Sequence, residues 1–254
     1  MTLQPPGPLL LFLEARAPWE LAALMAASPL MKRLKRGDGH SVLAFPGLAA
    51  NDASTGPMRR FLRDCGFDVH GWGQGANIGP RRDVLDACRE RIRELSQRQG
   101  RPVSLVGWSL GGLYARELAK EMPQDVRCVV TLGSPFTGSP RATNAWRLYE
   151  YFNGHAVDAD PAQMQRLREP PPVPTTSIYS KSDGIVAWGC SVNDPAPRVE
   201  NIEIPASHCG MGMNPLALFA LADRLAQDPA AWQPFERGGL RRLFYPPVSQ
   251  AKAA

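Results

Sequence analysis

Residues 102–122, PVSLVGWSLGGLYARELAKEM, decide how the rest of this chain is interpreted. The first part, residues 103–108, has the apolar character of a short buried strand, and an amphipathic helical pattern follows until Pro123. Between them lies Gly107-Trp108-Ser109-Leu110-Gly111, a G-x-S-x-G sequence. In a strand-to-helix turn this motif strains the serine and exposes its hydroxyl, while the glycines avoid collisions with neighbouring backbone. The strand and the helix around it favour a nucleophilic Ser109 over a chance match.

The length and the motifs around this unit suggest one domain. The chain has 254 residues, which can bury a large core, and α/β proteins of this size often form a single domain. We find no internal repeat and predict one domain over residues 1–254. Within it we predict an N-terminal helical segment at 1–38, a cap or insert at about 134–174, and a C-terminal tail at 228–254.

The formal net charge of +5 predicts a mildly basic surface. The basic residues are clustered at three places: Lys32, Arg33, Lys35 and Arg36; Arg59, Arg60 and Arg63; Arg237, Arg241 and Arg242. We interpret them first as solvated surface, with attraction to acidic membranes or anionic substrates as the alternative. No nucleic-acid-binding motif accompanies them, so we predict no DNA or RNA partner. The oligomeric state is left open.

The cysteines and the N-terminal residues help to predict the cellular compartment. Five cysteines without CxxC or zinc spacing, most of them within apolar patterns, indicate reduced and buried thiols. Residues 9–13 are apolar but too short to cross a membrane, and no basic segment precedes them. We therefore expect a cytoplasmic protein. Contact of an amphipathic N-terminal segment with a membrane surface stays an alternative.

Strands and helices are predicted to alternate along most of the chain. The predicted strands are residues 41–45, 67–72, 103–108, 126–132, 176–180 and 199–204. The predicted helices are residues 57–65, 81–98, the segment after the serine turn, and a last helix from Asn214-Pro215. This order predicts an α/β fold with a mainly parallel central sheet flanked by helices.

Two segments lie outside this alternation. Residues 9–31 are rich in Leu, Ala and Met, and we predict one or two short helices interrupted by Pro18 and Pro29. Residues 133–174 are less regular, with short helices predicted at 144–152 and 162–167. The aromatic residues there, and the place of the segment after a central strand, favour a small cap over an ordinary surface connection.

A serine nucleophile requires a base, because a neutral hydroxyl is a poor nucleophile. The chain has four histidines. His40 precedes the first predicted strand, His70 lies within or at the end of the second, and His155 lies in the predicted cap, where it could touch substrate. His208 follows the last strand, at the carboxyl edge of the sheet where Ser109 also lies. We predict that His208 is the base rather than a surface histidine.

The base needs a carboxylate that accepts a hydrogen bond from its other ring nitrogen. Asp183 closely follows the strand at 176–180, whereas its competitor Asp194 lies deeper in a Pro-rich loop. We favour Asp183. An Asp before Gly184 is also a common turn residue, and both interpretations can hold at once.

Five short segments resemble the α/β-hydrolase family, and within it the bacterial lipase and esterase branch. They are FPGL (45–48), GWSLGG (107–112), LGSP (132–135), SDGIV (182–186) and SHCGM (207–211), so the resemblance covers about residues 41–227. The family order is nucleophile, acid, histidine, and Ser109, Asp183 and His208 keep it.

Two backbone N–H groups would form the oxyanion hole. Leu110 follows the nucleophile at a helix N-terminus, where the dipole helps. The resemblance implies Leu48 as the second donor. Related lipases carry His-Gly where this chain has Pro46-Gly47, but a backbone donor does not depend on that side chain.

The sequence therefore predicts a serine hydrolase that cleaves carboxylic ester bonds through an acyl-enzyme, with a small acyl ester or a lipid as substrate. No metal or nucleotide motif is present, so we expect no cofactor. Four aromatic residues are candidates for an apolar acyl pocket, with core packing as an equal alternative: Trp72, Trp108, Phe136 and Trp188. The same residues would suit a thioesterase, an amidase, a polyester hydrolase or a membrane-peripheral phospholipase, and a non-catalytic binding protein is the remaining alternative.

Overall fold

The structure is a computed structural model that describes residues 3–34, 37–154 and 160–247, without the side chains of residues 32–34. Six parallel strands form one sheet in the order β2-β1-β3-β4-β5-β6. The strands are β1 (Ser41–Phe45), β2 (Asp68–Gly71), β3 (Val103–Trp108), β4 (Val126–Leu132), β5 (Thr175–Tyr179) and β6 (Val199–Glu203). Every strand predicted from the sequence is present within one or two residues.

Helices alternate with these strands. They are α1 (Pro8–Phe12), α2 (Ala17–Leu34), α3 (Gly56–Asp64), α4 (Arg82–Gln99), α5 (Leu110–Glu121), α6 (Trp146–Asn153), α7 (Pro161–Arg168) and α8 (Pro215–Ala226). Short 3-10 turns occupy Leu13–Arg16, Trp188–Ser191, Met211–Met213, Pro229–Ala231 and Gly239–Leu243. The predicted α/β fold, with a parallel central sheet flanked by helices, is confirmed.

Side chains that alternate along each strand build two apolar layers. Val42 and Ala44 of β1 face a layer shared with α2, α3 and α8, whereas Leu43 and Phe45 face a layer shared with α4 and α5. Because successive residues of a strand point to opposite faces, a fully buried apolar strand has to be covered on both sides. The sheet is therefore the middle layer of three.

The predicted interruption of the N-terminal helical segment is present beside Pro18, where α1 and a 3-10 turn give way to α2, but the predicted interruption at Pro29 is wrong. Helix α2 is continuous from Ala17 to Leu34 and contains both prolines. Pro18 lies in the first turn, where its missing N–H removes no intrahelical hydrogen bond. Leu24 and Met31 are buried in the layer that contains α8, so tertiary packing keeps the helix continuous past Pro29.

The polypeptide after α8 returns to the body of the protein. Phe235 and Tyr245 are buried, and the Tyr245 hydroxyl donates a 2.9 Å hydrogen bond to the Leu216 carbonyl. Four cysteines are buried, and Cys209 is exposed. Within the described ranges no helix combines the length and the apolar character needed to cross a bilayer.

Candidate functional site

Ser109 occupies a strained corner between β3 and α5. Its backbone has φ 53° and ψ −123°, a combination that residues with a side chain rarely adopt. Its N–H donates to the Leu132 carbonyl of the neighbouring strand at 2.8 Å. The turn therefore has the geometry expected of a G-x-S-x-G nucleophile.

Glycines allow the backbone around this corner to pack closely. A Cβ atom on Gly107 would lie 2.3 Å from the Gly112 Cα, and one on Gly111 would lie 2.4 Å from the Phe45 carbonyl oxygen. Real side chains do not tolerate such distances. The start of α5 can therefore lie directly against β3 and the end of β1 only because these positions are glycine.

The loop after β1 lies beside the serine. A Cβ on Gly47 would be 3.3 Å from the Ser109 Cβ, and Leu48 and Leu110 both line the cavity that contains Ser109. Asn77 holds this loop from outside. Its side-chain amide donates to the Pro46 carbonyl at 2.8 Å, and its backbone carbonyl accepts from the Ala49 N–H at 2.7 Å.

Asn77 was not found from the sequence, because the segment around it resembles an ordinary Gly-rich loop. It is fully buried, and its Oδ1 also accepts a 3.1 Å hydrogen bond from the Tyr114 hydroxyl. A buried amide with several hydrogen bonds fixes backbone positions efficiently. Here it links the loop after β1 to helix α5.

His208 and Asp183 form a buried pair at the carboxyl edge of the sheet. His208 Nδ1 lies 2.7 Å from Asp183 Oδ2. The other carboxylate oxygen accepts the N–H groups of Ile185 at 2.8 Å and Val186 at 2.7 Å. Asp183 is therefore both the partner of the imidazole and the residue that shapes its own turn, as the sequence allowed.

The surroundings favour the charged form of His208. Burial disfavours the imidazolium, but the negative charges of Asp183 and Glu14 outweigh it, so the pKa of His208 is raised above its ordinary value of about 6.5. The Trp108 indole N–H donates to the His208 carbonyl at 3.0 Å, which ties this loop to the residue before Ser109. Within the described residues no hydrogen bond joins Ser109 Oγ to His208 Nε2; such contacts often tighten only when substrate binds.

The competing residues lie elsewhere. His40 is buried at the start of β1, where it contacts Asp38 at 2.5 Å and Ser104 at 2.8 Å. His70 pairs with Asp68 at 2.9 Å in the edge strand β2. Asp194 is exposed and forms a two-point ion pair with Arg168, at 2.5 and 2.9 Å. His155 lies outside the described residues.

The four aromatic candidates for a substrate pocket separate into two groups. Phe136 lines the cavity beside Ser109. The other three are not among the described residues that line this cavity. Trp72 and Trp108 are buried in the two core layers, and Trp188 stacks on Tyr179. An indole large enough to line a pocket is equally able to fill the core, and local sequence does not separate the two roles.

The cavity has a volume of about 710 Å³, within the range of small-molecule sites. It follows α5, whose Leu110, Leu113, Tyr114 and Leu118 all face it. Helices α6 and α7 contribute the opposite side, with lining residues Trp146, Tyr149, Asn153, Gln163, Met164, Arg166 and Leu167. Most of these side chains are apolar or aromatic.

Arg116 anchors the end of α7 and was not identified from the sequence. Its guanidinium is buried, lies 3.8 Å from the centre of the Phe136 ring, and donates to Asn193 Oδ1 at 2.7 Å. It also donates to the carbonyls of Arg168 and Glu169, both at 3.1 Å, where α7 ends. Burial lowers the pKa of Arg116 to about 10, so the side chain still carries its charge at neutral pH. A cation at the carbonyl end of a helix is favourable.

The N-terminal segment packs against the loops that follow β5 and β6. Glu14 and Glu20 are both buried there, against the residues around Asp183 and His208. Neither was singled out from the sequence, where both resemble ordinary helix residues. Among the described residues no cluster of His, Cys, Asp and Glu could hold a metal ion.

Solved structures of other proteins share this architecture. Lipase B of Aspergillus fumigatus superposes with a TM-score of 0.59 at 20% identity. The superposition covers 75% of this chain but only 53% of that protein, so this chain spans about half of its length. An alpha/beta superfamily hydrolase of Oenococcus oeni PSU-1 gives 0.56 at 16% identity, with 78% and 96% covered. A monoacylglycerol lipase of Paleococcus ferrophilus gives 0.51 at 16%, with 75% and 97% covered. At these identities the likeness establishes the fold alone.

Comparison with curated protein sequences found no match. The sequence profile described as "Alpha/beta hydrolase family" matches residues 18–249, nearly the whole chain. That match agrees with the sheet order, the strained serine turn and the placement of the His208–Asp183 pair. The chain belongs to the alpha/beta hydrolase family.

Proposed function

We propose that this protein hydrolyses carboxylic esters through a Ser109–His208–Asp183 triad. The observation that carries the proposal is the buried His208–Asp183 pair, with 2.7 Å between Nδ1 and Oδ2, at the sheet edge that also presents Ser109 on its strained turn. A large and mostly apolar cavity opens at the serine. These features suit acyl transfer from an apolar substrate.

In the proposed reaction Ser109 Oγ attacks the ester carbonyl while His208 Nε2 accepts the hydroxyl proton. Asp183 holds the imidazole in the required tautomer and stabilises the imidazolium. His208 then returns the proton to the departing alcohol, which leaves an acyl-Ser109 ester. A water molecule, deprotonated by His208, attacks this ester, and the acid is released.

The negative oxygen of each tetrahedral intermediate would be held by the N–H groups of Leu48 and Leu110. Leu110 is the first residue of α5, so the helix dipole adds to its hydrogen bond. The network of Asn77 supports the Leu48 loop. A preorganised donor of this kind typically contributes about 100- to 1000-fold to the rate.

The cavity favours an acyl chain of substantial length. Its lining residues extend along α5 from Leu110 to Glu121, which corresponds to about 16 Å of helix. An extended chain covers up to about 3.6 Å in three bonds, so this length accommodates about 13 bonds. We therefore propose an esterase or lipase of medium-chain to long-chain substrates, which agrees with the names of the lipases that share the fold.

A membrane-surface role has separate support. Between Ala17 and Met31 the only charged residue is Glu20, which is buried, and a run of basic residues follows from Lys32. Large apolar side chains are exposed on this segment, at Trp19, Met25 and Leu30, and on the short helix α1 before it, at Leu9 and Phe12. An apolar face beside a basic run suits an anionic lipid surface. We propose this contact as a second property.

Replacement of Ser109 tests the proposed nucleophile. We expect the wild-type protein to hydrolyse p-nitrophenyl esters and to be labelled by a fluorophosphonate, and Ser109→Ala to lose both activities because no other hydroxyl occupies the turn. Ser96→Ala, on the side of α4, is the matched control and should behave as wild type. Failure of the wild-type protein in both assays would overturn the hydrolase proposal.

The pH dependence tests the base and its partner. Protonated His208 cannot accept a proton, so kcat/KM should fall as the pH drops through its raised pKa, with the midpoint of the acid limb above about 6.5. Asp183→Asn should lower kcat about 10⁴-fold and move that midpoint down, because burial then dominates. Asp194→Asn is the control. An equal loss in both variants would contradict the assignment of Asp183.

A bulkier residue on α7 tests the acyl channel. Met164 lines the cavity from α7, whose last turn contacts Arg116 and Lys120, about two and three turns of α5 after Ser109. Met164→Trp should lower kcat/KM for a p-nitrophenyl dodecanoate by about 10-fold or more, while the butyrate is unaffected. Gln165→Trp, exposed on the same helix, should change neither. Equal losses for the two esters would place the acyl chain elsewhere.

Sedimentation with lipid vesicles tests the membrane contact. The full chain should pellet with vesicles that contain phosphatidylglycerol and less with pure phosphatidylcholine. The double variant Phe12→Ser/Trp19→Ser should lose this binding while its ester hydrolysis in solution persists. Tyr151→Ser removes an equally exposed aromatic side chain from α6 and should still bind. Absence of wild-type binding to either vesicle would exclude the proposed contact.

A further inference from the structure

The Glu14 carboxylate accepts three backbone hydrogen bonds. Its Oε1 accepts the N–H of Gly184 at 2.7 Å and that of His208 at 2.9 Å, and its Oε2 accepts the N–H of Cys209 at 2.8 Å. Glu14 is buried in the 3-10 turn between α1 and α2. Hydrogen bonds to an ionised acceptor are shorter and stronger than neutral ones. A buried carboxylate with three donors is therefore a firm anchor.

The three donors belong to two different loops. Gly184 directly follows Asp183 in the loop after β5, whereas His208 and Cys209 lie in the loop after β6. Glu14 is at least 170 residues away from each of them along the chain. One carboxylate from the N-terminal segment thus holds together the two loops that carry the imidazole and its carboxylate partner.

We propose that Glu14 is a positioning residue that sets the relative placement of Asp183 and His208 and thereby the direction of His208 Nε2 toward Ser109. This inference rests on the proposed function of the site. Glu14 contacts no substrate atom in this scheme, and it acts through the backbone of the base itself. Displacement of a catalytic group by about 1 Å can cost about 100-fold in rate, so the anchor matters for kcat.

Glu20 provides the comparison within the same segment. It is equally buried, and its oxygens accept the Ser207 N–H at 2.7 Å and the Asn214 amide at 3.0 Å. It also pairs with Arg16 at 3.3 Å. These contacts secure the same loop and the start of α8. Glu20 itself bonds neither His208 nor Gly184, and it reaches the Asp183 turn only through Arg16, which donates to the Ser182 carbonyl at 2.9 Å. Loss of Glu20 should therefore resemble a purely structural defect.

The charges around His208 separate the two roles. Asp183, in the loop after β5, faces the ring of His208, and Glu14, in the N-terminal turn, faces its backbone. Further out, Glu20 contacts Ser207 and Arg16 contacts Ser182. Cys209, next in the chain, has an exposed side chain whose thiol is nevertheless partly desolvated; this desolvation and the charge of Glu14 raise the pKa of the thiol to about 12, so it stays neutral. Removal of the Glu14 charge should lower the pKa of His208, because burial opposes its charged form.

The test compares Glu14→Gln with Glu20→Gln in the full chain. A Gln side chain has the same shape, but its NH₂ group would face backbone donors. We expect Glu14→Gln to lower kcat by roughly 10- to 100-fold with KM nearly unchanged, and to move the acid limb of kcat/KM to lower pH. Glu20→Gln should lower the melting temperature to a similar degree but leave the acid limb in place. If both variants shift kcat and the acid limb equally, Glu14 has only a structural role.

Two further measurements keep the outcome decisive. Glu14→Asp retains the charge but is too short for all three donors, so kcat should fall while the acid limb stays near its wild-type position; it also replaces Glu14→Gln if that variant does not fold. The NMR titration of the His208 imidazole needs no turnover. If the wild-type protein hydrolyses no ester, a lowered His208 midpoint in Glu14→Gln still supports the anchor, and an unchanged midpoint overturns it.

Discussion

The close packing of α5 against the centre of the sheet is the constraint on which the rest of the site depends. Ser109 can keep a positive φ only because its N–H is bonded to Leu132 and because Gly107 and Gly111 let α5 lie against β3 and β1. The same packing places the N-terminus of α5 at the serine. A strained residue, an oriented helix end and a serine that lines the cavity are thus consequences of one backbone arrangement.

Parallel strands explain how Asp183 and His208 come together. All carboxyl ends meet at one edge, and β5 and β6 are neighbours, so the loops with Asp183 and His208 are adjacent although 25 residues separate them. The pair is buried, which would be unfavourable for unpaired polar groups. Hydrogen bonds from Ile185, Val186 and Trp108, together with Glu14 behind the loops, satisfy the polar groups around it.

The segment that contains α6 and α7 is held differently, because its helices are short and contribute no fully buried side chain of their own. Arg116 reaches out of α5 to the carbonyl end of α7, while its guanidinium packs on Phe136. A buried charge therefore holds this segment at one end of the cavity, and an ion pair between Arg166 and Glu117 adds to the contact. This arrangement leaves a large volume beside Ser109 while the segment stays connected to the body of the protein.

The sequence alone determined the order of strands and helices and the serine turn, because these depend on local periodicity and on glycine spacing. It also singled out His208 and Asp183 by their positions after strands, and the structure brings these two side chains into contact. The sequence did not reveal the continuous helix through Pro29 or the contacts of Asn77, Arg116 and Glu14, and it left open whether Trp72 and Trp108 lie in the core. A glutamate in a helical pattern looks the same whether it meets water or three backbone donors more than 160 residues away. Only the tertiary structure decided these features, because each depends on contacts between segments that are distant along the chain and adjacent only after folding.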